Sequence, residues 1–248
     1  MPVWAAAGLW GLFAGSALLV GAGLGWYLRI PRTVVAGVMA FGAGVLISAL
    51  AFDLVDEAER AGGLAATTGG FLGGAVAYVG ANVALASAGA RHRKRSSGQP
   101  TESEVGGSGT SIAIGALLDG IPESMVLGLT LLSGHGVGVP VLVAIFLSNV
   151  PEGLSSAAGM RRAGRRASYV FGVWAVVALS SGGAGLMGVV LLDGASGASI
   201  AVVTAVAAGA ILAMVADTMI PEAFERTHLY AGLLATIGFV LAFAIDRL

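Results

Sequence analysis

Apolar residues run along the chain in eight long stretches, at about 4–28, 34–55, 64–89, 109–132, 137–160, 168–192, 198–221 and 229–246, and charge gathers in the breaks between them. A bilayer core is roughly 30 Å thick and takes roughly 20 apolar residues per helix. The pattern therefore predicts an all-α integral membrane protein of eight transmembrane helices, forming a single transmembrane domain over 1–248. The breaks are Arg29-Ile30-Pro31-Arg32, Asp56 to Arg60, Arg91-His92-Arg93-Lys94-Arg95, Arg161 to Arg166, and Glu222 to His228. The longest, 90–109, is the one segment that reads as a flexible loop, between helices 3 and 4. Met1 to Trp10 carry no basic residue, so the first stretch reads as a retained span and not as a cleaved signal peptide.

Composition narrows the function classes. Hydrophobic residues make up 56% of the chain and charged residues 11%, against about 25% charged in soluble domains, which excludes a soluble enzyme. The 40 glycines suit membrane helices, where small residues let backbones approach. A net charge of -1 offers no field for nucleic acid. The absence of cysteine excludes disulfides, iron–sulfur clusters and thiolate metal sites, so any metal meets oxygen or imidazole. Of the 13 Lys and Arg residues, all but Arg60 and Arg247 fall on one side when both termini are placed outside. Cytoplasmic loops hold the Lys/Arg excess, so the expected orientation is termini out, with 90–109 cytoplasmic, in a cell membrane of the bacterial inner-membrane type. Topology also accounts for the run Arg91 to Arg95 without a nucleic-acid partner.

Five acids break the pattern. Asp53, Asp119, Glu123, Glu152 and Asp217 lie inside or at the edge of apolar stretches, and no stretch contains a basic residue. A carboxylate near the bilayer centre costs on the order of 3 kcal/mol and normally faces a polar cavity, a partner or an ion. The fourth stretch reads Leu118-Asp119-Gly120-Ile121-Pro122-Glu123 and the fifth Leu147-Ser148-Asn149-Val150-Pro151-Glu152-Gly153. Asp119 shares a helix face with Glu123, and Ser148 and Asn149 share one with Glu152. Both prolines lack the amide that would bond to the carbonyl one turn earlier, at Leu118 and Leu147, so a kink and a free carbonyl are expected in each helix. The short connection, Ser133 to Val137, predicts that the two helices are antiparallel neighbours with these faces converging at mid-depth. A protonated pair that hydrogen-bonds across the bundle is the structural alternative.

At these residues the sequence resembles the ZIP (Zrt/Irt-like) family of divalent metal transporters, in particular its short bacterial members. The resemblance covers nearly the whole chain and includes Ala208-Gly209-Ala210 leading to Asp217 and Pro221-Glu222. It implies a ZIP-like bundle of eight spans with both termini outside, a variable cytoplasmic loop after the third, and a transport site on the fourth and fifth, where the family carries His-Asn-x-Pro-Glu-Gly. Here Asp119 and Gly120 stand for the first His-Asn and Ser148 and Asn149 for the second, while Pro122, Glu123, Pro151, Glu152 and Gly153 match. A glutamate frequent in the family's sixth span corresponds to Leu179, and Gly42 to Leu46 resembles the family's second-span run.

The expected metal donors are therefore Asp119, Glu123, Ser148, Asn149 and Glu152, with Asp53 and Asp217 as pathway or accessory groups. All are oxygens, which suit magnesium, calcium and manganese better than zinc. Manganese is the expected substrate on that ground, with iron and zinc kept by the resemblance. Three carboxylates around a divalent ion leave surplus negative charge, which allows proton coupling. His92, His135 and His228 lie in breaks and read as solvated residues. The leading function is transport of a divalent metal cation, a substrate and not a cofactor, and no enzyme activity is expected. The alternatives are a transport-incompetent ZIP-like membrane regulator or scaffold, and an intramembrane aspartyl protease using Asp119 and Asp217, against which the missing Gly-x-Gly-Asp context counts. Small-residue steps such as Gly70 to Gly74 allow packing within the chain or a homodimer.

Overall fold

The computed structural model describes residues 1–87, 108–132 and 137–247; His92, His135, the basic run Arg91 to Arg95 and most of the expected loop 90–109 lie outside them. The described chain is helical throughout. Helices α1 (Val3–Tyr27), α2 (Arg32–Ala49) and α3 (Val55–Leu85) are followed by α4 (Ser108–Leu132), α5 (Val139–Arg162), α6 (Ala167–Leu192), α7 (Gly197–Met214), α8 (Ile220–Thr227) and α9 (Leu229–Asp246). A π-helical turn, Leu50–Leu54, joins α2 to α3, and a second, Val215–Met219, joins α7 to α8. Six helical runs are long and apolar enough to cross a membrane, and Leu229–Ile245 is a shorter apolar helix.

Polarity is inverted relative to a water-soluble protein. Asp119, Glu123, Ser148, Asn149, Ser155, Ser156 and Glu222 are buried, whereas Leu72, Val76, Val83, Leu179, Leu191 and Leu233 are exposed. Water penalises that arrangement and hydrocarbon does not, so the chain is a multi-pass membrane protein.

Two of the expected breaks are not loops. Asp56 to Arg60 continues in α3, and Glu222 to Thr227 forms α8. The chain instead reverses at single residues: Gly63 (φ 76, ψ 170) interrupts α3, and His228 (φ 45, ψ -115) separates α8 from α9. A run from Arg32 to Leu85 without such a break would be about 80 Å long at 1.5 Å per residue, far beyond a bilayer core.

These features recur at one constant offset. Arg32 corresponds to Gly197, Ala49 to Met214, the first π turn to the second, and Gly63 to His228. Sequence identity at that offset is confined to a few positions, among them Ala43-Gly44 with Ala208-Gly209 and Glu57-Ala58 with Glu222-Ala223. The second unit is inverted relative to the first, because α1 and α6 run antiparallel: Gly8 packs on Gly182 and Leu186, and Gly15 on Ala178. Around this axis α1 runs parallel to α5, α2 antiparallel to α5, α4 parallel to α6, α3 parallel to α7 and α2 parallel to α9.

The seams are backbone against backbone. A methyl group on Gly209 would overlap the Phe71 carbonyl, and one on Gly74 the Val206 carbonyl, across the α3–α7 seam. Across the α2–α9 seam, Gly44 meets the Ala235 carbonyl and Gly238 that of Phe41. Gly44 and Gly209 are equivalent in the two units, as are Phe41 and Val206, so the two seams are one interface used twice. Neither π turn follows from proline, since Pro221 follows the second while Asp56 holds the equivalent place after the first.

His228 is the only non-glycine residue with positive φ among the described residues, in a region that costs L-residues on the order of 1–3 kcal/mol. His228→Gly is therefore expected to raise the unfolding midpoint in detergent. Gly63→Ala is expected to lower it by a similar amount through backbone strain alone, because a methyl there meets nothing within 4 Å. Thermal denaturation of the two variants beside wild type checks both signs.

Candidate functional site

Asp119 and Glu123 are each 2% exposed, one turn apart on the inner face of α4. Residues 120 to 122 between them carry no donor side chain, and α4 continues as one helix through Pro122. Likewise α5 runs through Pro151, so neither proline ends its helix. Positive-φ breaks in the helices lie at Gly63 and His228, and π turns join α2 to α3 and α7 to α8.

Asp119 is held by a residue that the sequence pattern did not single out. The buried phenol of Tyr78, on α3, donates a hydrogen bond of 2.8 Å to Asp119 Oδ1. The bond fixes the Asp119 carboxyl group from a neighbouring helix. The available signal was the position of Tyr78 as the only residue with a polar side chain between Thr68 and Asn82. Gly120 has a packing reason: a methyl there would stand 3.2 Å from Ser181 Oγ on α6. The residue that α6 turns toward α4 is thus the buried Ser181, while Leu179, which corresponds to the glutamate frequent in the ZIP family's sixth span, is exposed.

The expected contact of α4 with α5 is largely replaced by α1. The two helices are antiparallel, yet they barely touch; α4 packs on α6 and α5 on α1. The cause is the glycine seam of α1 and α5, where Gly21 meets the Val150 carbonyl and Gly153 meets that of Leu18. Close backbone approach gives α1 a better partner than α4 offers. Asn149 is part of that seam: its Nδ2 donates to the Ala14 carbonyl at 3.1 Å. The Ser148 hydroxyl donates to Ile145 O at 2.9 Å, which leaves its lone pairs as acceptors.

Glu152, half-buried on α5, lines a narrow crevice with Glu222, Thr218, Met39, Met214 and Met219. Glu222, at the start of the charged break Glu222 to His228, is buried in α8 and accepts a 2.5 Å hydrogen bond from Ser155. Its signal was legible, since Pro221-Glu222 is a third Pro-Glu pair. The acids thus fall into two pairs, Asp119 with Glu123 on α4 and Glu152 with Glu222 across α5 and α8. Among the described residues no three His, Asp or Glu side chains gather at metal-holding spacing. Asp53 is half-buried in the first π turn, and Asp217 is exposed on the outer surface of the second, not in the interior with the other acids. His228 is exposed.

A double-mutant cycle tests the Tyr78–Asp119 bond. Tyr78→Phe alone is expected to destabilise the fold by about 1–3 kcal/mol, because a buried carboxyl group loses one hydrogen-bond donor. In combination with Asp119→Asn the losses are expected to be non-additive by about 0.5–3 kcal/mol, read from chemical denaturation of the four proteins. The chain matches no protein-family model and no curated protein, so the roles given to these residues follow from their own geometry and chemistry.

Proposed function

We propose that the chain is a transporter for a divalent metal cation, with eight passes through a cell membrane and both termini outside. The alternating directions of successive helices support eight passes. The convergence of Arg29, Arg32, Arg161 and Arg162 at one end, with Asp56 and Arg60 ion-paired at 2.6 Å elsewhere, is in keeping with an arginine-rich inner face.

The observation that carries the reading is the burial of Asp119 and Glu123 in an apolar helix packed between two inverted units. Intramembrane acids mark ion pathways. Inverted repeats with interrupted helices are the architecture by which secondary transporters alternate access around a central site. A cation would exchange its water for Asp119 and Glu123, with Tyr78 holding Asp119 in place, and would meet Glu152 and Glu222 as a second station. Protons taken up as the cation leaves would limit the charge left behind in hydrocarbon. The donors are oxygens apart from the methionine thioethers beside Glu152, which favours manganese over zinc; iron and zinc stay in view through the likeness to the ZIP family.

A second reading, a regulator or scaffold of the same fold without transport, is favoured by one observation: among the described residues no three His, Asp or Glu side chains cluster. Uptake of Mn²⁺, Fe²⁺ and Zn²⁺ into proteoliposomes separates the two. Wild type is expected to accumulate at least one of these ions, and Glu123→Gln to reduce uptake by about tenfold or more, because a charged ligand is lost. Failure of wild type to move any ion would leave the scaffold. Orientation is tested in this cysteine-free chain by Ser97→Cys, which an impermeant thiol reagent is expected to label only from the cytoplasmic side.

A further inference from the structure

One cavity takes no part in the acid pathway. It encloses about 520 Å³ where the end of α1, the start of α2 and the end of α5 meet, and Arg29, Arg32, Arg161 and Arg162 line it. Its lining contains no acidic side chain, and the Ser155 hydroxyl at its inner wall is already donated to Glu222. Arg162 stands within electrostatic range of both Arg32 and Arg226. Among the described residues, no ion pair joins Arg29, Arg32 or Arg162 to a carboxylate.

Like charges spread apart unless something holds them, and here the backbone does. The connection from α1 to α2 is only Leu28 to Pro31, which fixes Arg29 and Arg32 on one rim. Arg161 is tied on the other rim by a hydrogen bond to the Trp26 carbonyl, with its guanidinium 5.9 Å from the Trp26 ring centroid. Topology alone requires a number of arginines on one side of the membrane, not their convergence on a cavity. The surroundings give the depth: Tyr27 stacks on Phe171 at 6.2 Å beside the cavity, and such aromatics sit at headgroup level. The floor is apolar, formed by Val35 and Leu154, which suits the glycerol end of a lipid better than a fully hydrated anion.

We propose that this cavity binds the phosphate headgroup of an anionic phospholipid. Arginine forks match phosphate oxygens, and basic pockets between membrane helices take such headgroups. The occupied site neutralises an arginine cluster whose cavity shares Ser155 with Glu222, so lipid composition sets the field at that end of the acid crevice.

Native mass spectrometry of the full chain, in detergent supplemented with phosphatidylglycerol or phosphatidylcholine, tests the proposal. Wild type is expected to retain one phosphatidylglycerol and no phosphatidylcholine. Arg32→Gln and Arg162→Gln are each expected to lower that occupancy about fivefold, while Arg166→Gln, at the same end but outside the cavity, leaves it unchanged. Equal retention of the two lipids, or retention unaffected by the first two variants, overturns the site. Displacement of the lipid by an equal concentration of inorganic phosphate would make it a soluble-anion site and overturn the lipid assignment. Should either variant fail to fold, Arg29→Gln and the wild-type comparison of the two lipids decide the matter.

Discussion

Close approach of backbone to backbone at glycine is the constraint on which this molecule depends. Hydrocarbon gives helices no hydrophobic reason to associate, so packing and weak Cα–H···O contacts must hold them. The Gly44 and Gly209 seams join the two inverted units to each other, and the Gly21 and Gly153 seam places α1 against α5. The position of every acid follows. Because α1 takes the place beside α5, Glu152 turns toward α8 and Glu222, and α4 is left with α6, Tyr78 and the pair Asp119 and Glu123.

The second consequence is electrostatic. Two of the buried acids are oriented by a hydroxyl: Tyr78 donates to Asp119, and Ser155 to Glu222. A hydroxyl that donates to a buried carboxyl group lowers the cost of burying it. Arginine is kept to the helix ends, where it gathers around the cavity at the end of α5.

Much of the fold was legible in the sequence, and the reasons are physical. Apolar length marks helices that no loop interrupts, and the carboxylates Asp119 and Glu123 in one such helix are interior as expected, whereas Asp217 in another is exposed. The single-residue reversals at Gly63 and His228 were hidden because the charges of Asp56 to Arg60 and Glu222 to His228 look the same in a helix as in a loop. The repeat was hidden because seams made of glycine constrain a few positions and leave the rest free, so identity survives only at places such as Ala43-Gly44 and Glu57-Ala58. Tyr78 was missed because one hydroxyl in an apolar stretch has no periodicity, and Glu222 because its neighbours are charged. The expected meeting of α4 and α5 failed on a competition that no local pattern encodes, the better fit of α1.

Reversal at one residue has a rotational consequence. A loop absorbs an added residue, whereas Gly63 feeds its turn straight into a helix with no slack. Each residue of an α-helix advances about 100° around its axis. One residue inserted after Gly63 would therefore turn the following limb by more than a quarter revolution, carrying the Tyr78 hydroxyl off Asp119 and Gly74 off the Val206 carbonyl together. The length of chain between the reversal and the tyrosine acts as a phase setting, by which the angular position of a helix is fixed to that of the acid it serves.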